Sequence, residues 1–533
     1  MRPYLSLPCV FLSVGLCTAQ QIWDIWQTTW DRSSLFKQVS VSSPINFVSS
    51  GAIGSADIVV DDSVELQNIF GFGGTLTDSS ALVLNNLKSK NRNAYNDLLN
   101  YLFSPTDGAN AAGLSYIRIP LGASDFSSGT YNFDSVNGDT SFNNFNINNA
   151  PPYLFSVLTD IHNVNSQIKV HVLPWSPPGW MKNSGTMNGG SLNSNMLTPY
   201  ATYLFKCLQG FRDHGITPYA ISIQNEPRNS DTTYPTSTLT PAQEAQIGQA
   251  LRSLMNNNGF GSVKIIAYDH NWDNAAYPVQ VLQAAPNSFA GAAFHCYGGS
   301  VSQQDTFVNA FPNKEVYFTE CAGTIGSDWW SDIKWYMDNI FIGALEHGSS
   351  TGLMWNIALD GNGNPRLPGA GSCDAGCRPI VTVNSDGSWS VNQEFYAMAH
   401  ASKAIIPKDA GGPFGKRVRV NIGGSLSWAL RVSAFVTRRN NPSDWLRYSL
   451  VVLNWDDQPN GSWNPTPVTT TIEFRGMQAK YTFPGASVTT LWWFAPGEAS
   501  GLTNGTQLES SQIYADSGHE NPVPIGSFKK EHD

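Results

Sequence analysis

The chain has 533 residues, of which 41% are apolar, 12% aromatic and only 14% charged, and it carries a formal charge of −10 with a pI near 5.4. Such a length buries a large core and accommodates a big α/β barrel with an appendage. The acid excess excludes a nucleic acid or an anionic membrane surface as the expected partner, since phosphate binding needs clustered Lys and Arg. Scarce charge and 17 tryptophans suit a neutral substrate instead.

The first residues, MRPYLSLPCVFLSVGLCTAQQ, place one early positive charge before an apolar run and Cys17-Thr18-Ala19. That is the pattern of a secretory signal peptide spanning residues 1–19. No later run reaches the roughly 18 apolar residues of a membrane span, so a secreted, extracellular protein is expected. Residues 20–62 contain the β-like stretches INFVSS and ADIVVDD.

From about residue 63 to 404, apolar strand-like runs alternate with helical segments, as in a parallel sheet with crossover helices. The runs are 68–74, 115–122, 168–176, 219–227, 263–270, 291–298, 314–320 and 352–356. Eight such units close a (β/α)8 TIM barrel. Thr77 or Asp78 offers an N-cap to the first helical segment, and TPYATYLFKCLQGFRDHG and TPAQEAQIGQALRSLMNNNG each end on a glycine suited to a C-cap. Gly71-Phe72-Gly73-Gly74 lacks the spacing of a nucleotide loop and reads as a tight turn at the end of the first strand.

Residues 405–497 change rhythm to RVRVNIG, LRVSAFV, LRYSLVVLNW, PVTTTIEFRG and SVTTLWWF, β-branched or aromatic runs separated by turn residues. They predict a β-sandwich side domain that the strands before residue 62 join, so that both ends of the chain build it. Residues 498–533 read as a polar tail.

Five cysteines remain after the signal: Cys207, Cys296, Cys321, Cys373 and Cys377. In an oxidising compartment Cys373 and Cys377, inside GSCDAGC, can close a small disulfide loop. A metal knuckle competes for that spacing but lacks a second ligand pair. Cys207, in an apolar helical pattern, reads as core. Asn460-Gly461-Ser462 and Asn504-Gly505-Thr506 permit N-linked glycans.

Barrel enzymes work at the C-terminal ends of their strands, so polar residues that follow apolar runs carry the chemistry. ISIQ-Asn225-Glu226-Pro227 ends the fourth strand and VYFT-Glu320-Cys321 the seventh, with AAF-His295-Cys296-Tyr297 on the sixth. Two glutamates on opposite sides of a barrel mouth form the pair that glycosidic cleavage needs, one protonating the leaving oxygen while the other attacks or activates water. Asp269, His270 and His295 have no helical HxxxH or carboxylate cluster beside them, and no metal or other cofactor is expected.

These strand ends, with Gly71-Phe72-Gly73-Gly74, Thr77-Asp78, Tyr116-Ile117-Arg118-Ile119-Pro120 and Leu173-Pro174-Trp175-Ser176-Pro177-Pro178-Gly179-Trp180-Met181-Lys182, resemble glycoside hydrolase family 30 over about residues 40–497. The resemblance implies a retaining endo-glycosidase, nearest to members that cleave β-1,6-glucan, with Glu226 as acid/base and Glu320 as nucleophile. It also implies Asn225 on the sugar 2-hydroxyl, Arg118 near the nucleophile, and Asp125, Trp175, Tyr297 and Trp355 lining the site, with His295 beside them. Read without the family, Arg118 is equally a buried partner of Asp125 or another acid, His295 a satisfied core histidine, and Trp175, Trp180 and Trp355 core aromatics. Within the family, xylan, β-1,6-galactan and glucosylceramide are the competing substrates. A non-catalytic glycan-binding protein competes from outside it, although both glutamates are present. A monomer acting on a polysaccharide is expected.

Overall fold

The computed structural model describes residues 20–423, 426–458 and 461–497. The expected signal peptide, the expected polar tail and the sequon residues Asn460 and Asn504 lie outside them. No helix among the described residues is long and apolar enough to cross a membrane.

Eight parallel strands form the barrel: β1 Gly71–Thr75, β2 Tyr116–Leu121, β3 Lys169–Pro174, β4 Ala220–Ser222, β5 Lys264–Asn271, β6 Gly291–His295, β7 Glu315–Glu320 and β8 Thr351–Asn356. All eight predicted runs are present. Each strand is buried on both faces, which is why these runs read as nearly continuous apolar sequence rather than as alternation. The sheet runs β7-β6-β5-β4-β3-β2-β1-β8. The ring closes between β7 and β8 through the parallel bridge Val316–Ser349 and the Thr351 hydroxyl, which donates to the Phe318 carbonyl at 3.1 Å.

The barrel interior is layered. Tyr116, Ala220, Ile266, Ala293, Tyr317 and Leu353 pack its floor. Above them the barrel strands supply buried polar groups: Arg118, His171, Ser222, Asp269 and Thr319.

The glycines of β1 have a different cause from the turn expected of them. They lie within the strand, and a Cβ on Gly73 would sit 1.9 Å from the Tyr116 carbonyl oxygen. Close approach of neighbouring backbone, rather than turning, excludes a side chain there.

Helices cover the outside. Asp78–Lys90 begins at Thr77, whose side chain accepts from the Ser80 amide at 3.1 Å. Pro241–Asn257 begins with a reciprocal capping box between Thr240 and Gln243. Gly215 and Gly259, with φ of 84° and 80°, follow the helices Leu197–Asp213 and Pro241–Asn257 in the left-handed conformation that ends many helices.

The side domain is one ten-stranded sheet assembled from both ends of the chain. Gln21–Thr29 pairs with Ser487–Ala495, and Ile58–Asn68 lies between Lys416–Ile422 and Val468–Phe474. Leu446–Asn454, Leu430–Thr437, Met477–Phe483 and Lys37–Gln38 complete the main run, and Ile45–Asn46 pairs off it with Gln21–Thr29. The strand Gln21–Thr29 is absent from the sequence expectation. Its Ile22 and Ile25 enter the side-domain core, whereas Trp26 joins the barrel's. Period-two alternation likewise splits Ser487–Ala495, sending Leu491 and Trp493 to one core and Val488 and Trp492 to the other.

Helix Gln393–Ile405 fills the seam between the two units. Its His400 hydrogen-bonds the hydroxyls of Thr28 and Thr490, each at 2.9 Å, so residues from both termini meet on one imidazole. Burial pushes that imidazole down to about 3, which keeps it neutral.

Asp78, in the first turn of its helix, accepts from the Ser127 and Tyr131 hydroxyls at 2.5 and 3.0 Å. Burial nevertheless pushes its carboxyl up to about 7. The folded chain therefore holds this proton more tightly than the unfolded chain does. The resulting stabilisation is full below about pH 4 and is lost as pH rises through about 7. Between pH of about 5 and 7.5 the melting temperature of Asp78→Asn is expected to fall less than that of the parent, the difference being on the order of 5 °C. Parallel melting curves would contradict this assignment.

Candidate active site

Irregular strand ends build the mouth. Against β6, β5 carries one extra residue, Asp269, and β7 carries one extra, Thr319; against β1, β8 carries Trp355 in the same way. A bulge adds one residue to the two-residue period and so re-aims side chains at the end of a ladder. Tyr268 and Asp269 pass through this bulge with φ of 75° and 53°. The β4 ladder stops at Ser222, and the chain beyond it is held by the Asn225 amide on the Pro174 carbonyl at 2.9 Å and the Glu226 amide on the Asp269 carbonyl at 3.0 Å. Glu226 takes a left-handed φ of 49°, unusual for a residue with a Cβ.

Arg118, fully buried, is the centre of the site. Its Nη1 donates to Glu320 Oε2 at 2.6 Å, and its Nη2 to Asn225 Oδ1 at 2.5 Å and Asp269 Oδ1 at 3.0 Å. Burial alone would lower the guanidinium's proton affinity, but the charges of Asp269 and Glu320 raise it. Burial would likewise raise Asp269, and the Arg118 charge together with His295 holds it well below the usual carboxylate range. Asp269 also accepts from the Thr319 hydroxyl at 2.7 Å and the Ser222 hydroxyl at 2.5 Å. A relay continues downward, with His171 bonded to the Ser222 hydroxyl at 2.8 Å and the Tyr116 hydroxyl at 3.1 Å.

The two glutamates are held differently. Glu320 accepts on both oxygens, from Arg118 and from the Tyr297 hydroxyl at 2.9 Å. Burial and then the Glu320 charge raise the Tyr297 phenol well above its ordinary value, so it stays a donor. Glu226 meets the Asn229 amide at 2.8 Å through Oε2 and His295 Nδ1 at 3.2 Å through Oε1. His295 Nε2 lies 2.7 Å from Asp269 Oδ1. Burial would lower the imidazole, yet the Glu320 charge and the hydrogen bonds to Asp269 and Glu226 raise it. His295 thus lies between the two acids, with Nε2 against Asp269 and Nδ1 against Glu226.

Each of Glu226, His295 and Glu320 brings an atom within 4.8 Å of the others. Three such ligands can in principle gather a cation. Here the Arg118 guanidinium already supplies the positive charge against Glu320, which disfavours a second cation beside it.

Aromatic walls surround the pair. Trp175 and Trp355 stack with centroids 5.2 Å apart and planes at 20°. The Arg118 guanidinium lies over both, 4.9 and 5.9 Å from their centroids. Phe126 meets Trp355 edge-on at 5.8 Å.

A strap after β8 covers this wall. Its Leu367 amide donates to the Asp125 carbonyl at 2.8 Å, its Ser372 hydroxyl to the Asp125 carboxylate at 2.6 Å, and its Gly371 amide to the Thr233 hydroxyl at 2.7 Å. Cys373 and Cys377 of the strap are joined as a disulfide. Asp125 thus meets the strap, and it also lies near enough to Tyr297 for its charge to raise that phenol, while Arg118 pairs with Asp269 and Glu320. Trp180 stands apart, its indole donating to the Asp134 carbonyl at 2.9 Å beside a separate cavity of about 640 Å³.

Among the sequence-derived residues, Glu226, Glu320, Asn225, Arg118, His295, Tyr297, Trp175 and Trp355 converge. Several others at the site escaped sequence reasoning: Asp269 was weighed only as a metal hint, and Asn229, Ser222, Thr319 and His171 not at all. Four of these five share a legible signal, a polar residue set within or at the end of an apolar barrel strand. A second disulfide, Cys296–Cys321, was also unforeseen.

Removing one partner of a buried ion pair leaves the other uncompensated, typically at a cost of about 3–5 kcal/mol. Asp269→Asn is expected to lower kcat about 100-fold or more while KM changes little, because Arg118 and His295 both lose their anchor. Steady-state kinetics of the folded variant checks this, and an unaltered kcat would remove Asp269 from the site.

A family model described as the glycosyl hydrolase family 30 TIM-barrel domain matches residues 69–405. The endo-1,6-β-D-glucanase of Neurospora crassa is 35% identical over 417 residues, covering 74% of this chain and 80% of its own. That of Aspergillus fumigatus is 32% identical over 400 residues, covering 70% and 78%. A solved endo-β1,6-glucanase superposes with a TM-score of 0.75 at 26% identity, covering 88% of this chain and 99% of its own. With its barrel matched from end to end and its side domain shared, the chain belongs to glycosyl hydrolase family 30 and is a glycoside hydrolase.

Proposed function

We propose that this enzyme is secreted and cleaves β-1,6-glucan internally, with retention, through a covalent glycosyl-enzyme intermediate. The observation that carries the reading is the carboxylate spacing: oxygens of Glu226 and Glu320 approach within 4.8 Å. Retaining glycosidases hold their carboxyl groups about 5–5.5 Å apart, whereas inverting ones need about 6.5–9.5 Å to admit water.

Glu320, which accepts from the Arg118 guanidinium at 2.6 Å, is the nucleophile in this proposal. Its oxygen attacks the anomeric carbon while Glu226 gives a proton to the departing glycosidic oxygen. The charge on Glu320 raises the proton affinity of His295, which pairs with Glu226. Ester formation removes that charge, so the pair releases its proton more readily and Glu226 then serves as the base that activates water. Asn225 spends Oδ1 on Arg118, which leaves its Nδ2 as the donor for a sugar hydroxyl. The stacked indoles of Trp175 and Trp355 suit the apolar face of a pyranose.

The polymer and linkage follow the relatives, which are named as endo-1,6-β-glucanases. The purified protein is expected to release gentio-oligosaccharides of mixed length from pustulan and to leave xylan, galactan and glucosylceramide essentially intact. No release from pustulan, or faster turnover of another member of this panel, would overturn the substrate. Glu320→Gln is expected to reduce turnover by about 10⁴-fold or more while glucan binding persists, as measured by kinetics and calorimetry. Undiminished turnover would strip it of the nucleophile's role.

A further inference from the structure

Cys296 directly follows His295, and Cys321 directly follows Glu320. The two cysteines form a disulfide with their Cα atoms 5.3 Å apart. The bond joins β6 to β7 just where the ladder between them is broken by the extra residue Thr319. The hydrogen bond left at that point, from the Cys296 amide to the Glu320 carbonyl, is 3.3 Å long. An N–H···O contact of that length is beyond the usual range. Backbone pairing therefore holds these two strand ends weakly, at the position that presents Glu320.

The neighbours of the bridge are the groups that touch both glutamates. On one side of Cys296, His295 holds Glu226 at 3.2 Å; on the other, Tyr297 holds Glu320 at 2.9 Å. Across the bond, the Cys321 carbonyl accepts from the Trp355 amide at 2.8 Å, tying in the stacked tryptophan of β8. One covalent link thus spans the support of Glu226, the backbone of Glu320 and the anchor of Trp355. The other disulfide among the described residues, Cys373–Cys377, closes only a short loop of the strap. Cys321 is fully buried and Cys296 nearly so, which places the bridge within the wall of the mouth.

We propose that the Cys296–Cys321 disulfide is a positioning clamp that sets the distance between Glu226 and Glu320. This rests on the reading of those two residues as the catalytic pair. Nucleophilic attack tolerates little drift, since misplacing reacting groups by about 1 Å costs on the order of 100-fold in rate. Widening the gap without reaching the spacing of an inverting site forfeits the retaining route and gains no other. A bridge that served folding alone would stabilise the chain and leave turnover of the folded enzyme intact.

The test is the double variant Cys296→Ser/Cys321→Ser in the full chain, assayed on pustulan and on an aryl β-glucoside beside the parent enzyme. The clamp requires kcat of the folded variant to fall about 10- to 100-fold on both substrates, with KM within about threefold of the parent. A folded variant whose kcat stays within about twofold overturns the proposal, whatever its melting temperature. Should the variant fail to fold, the parent enzyme is held in reductant below its melting temperature until a quenched aliquot shows Cys296 and Cys321 as free thiols by mass spectrometry. The same fall in kcat, reversed on reoxidation, is then required, and full activity with both thiols free refutes the clamp. Turnover by the parent enzyme tests the catalytic reading separately, because only the ratio of variant to parent reports on the disulfide.

Discussion

A guanidinium with no exposed surface sits at the mouth of the barrel, and the surrounding residues are arranged to make that burial tolerable and useful. Arg118 is drawn to Glu320 and Asp269 by charge and to Asn225 by hydrogen bonding. Two indole faces close over it, an environment that a weakly hydrated, planar cation tolerates better than an ammonium would. Because the guanidinium is rigid, one side chain sets the relative positions of three others. Its charge lies directly against the Glu320 carboxylate, with Nη1 2.6 Å from Oε2.

The remaining architecture serves this charge cluster. Asp269 reaches Arg118 because β5 is bulged, and the same bulge offers the carbonyl that captures the Glu226 amide. Strain at Glu226 is thus held by the neighbouring strand, on a scaffold whose rigidity keeps the two carboxylates close. His295 completes the circuit by touching both Asp269 and Glu226, so proton and charge at one glutamate are felt at the other. The side domain, bound to the barrel along helix Gln393–Ile405, buries the outer face of the barrel far from this chemistry.

Much of the fold was legible because the barrel strands are buried on both sides and therefore stand out as apolar runs between capped helices. The rim position of Glu226 and Glu320 was legible for the same reason, since each follows such a run. Asp269 was not, because a bulge alters the parity by which strand residues alternate, and nothing in AYDHN announces the extra residue. The strand Gln21–Thr29 was missed because it divides its side chains between two cores and so shows no apolar and polar alternation. Cys296 and Cys321 were visible as residues, but their pairing depends on where the β6–β7 ladder slips. Gly73 looks like a turn residue in the sequence because its close approach to Tyr116 of β2 exists only in three dimensions.

Two carboxylates this close, one of them bonded to Arg118, are placed for a double displacement. The most direct measurement is the anomeric configuration of the first product, followed by proton NMR from the start of hydrolysis of a β-linked glucan. Double displacement releases the β-anomer first and lets the α-anomer appear only later, by mutarotation. Initial release of the α-anomer would mean a single displacement by water and would contradict the assignment.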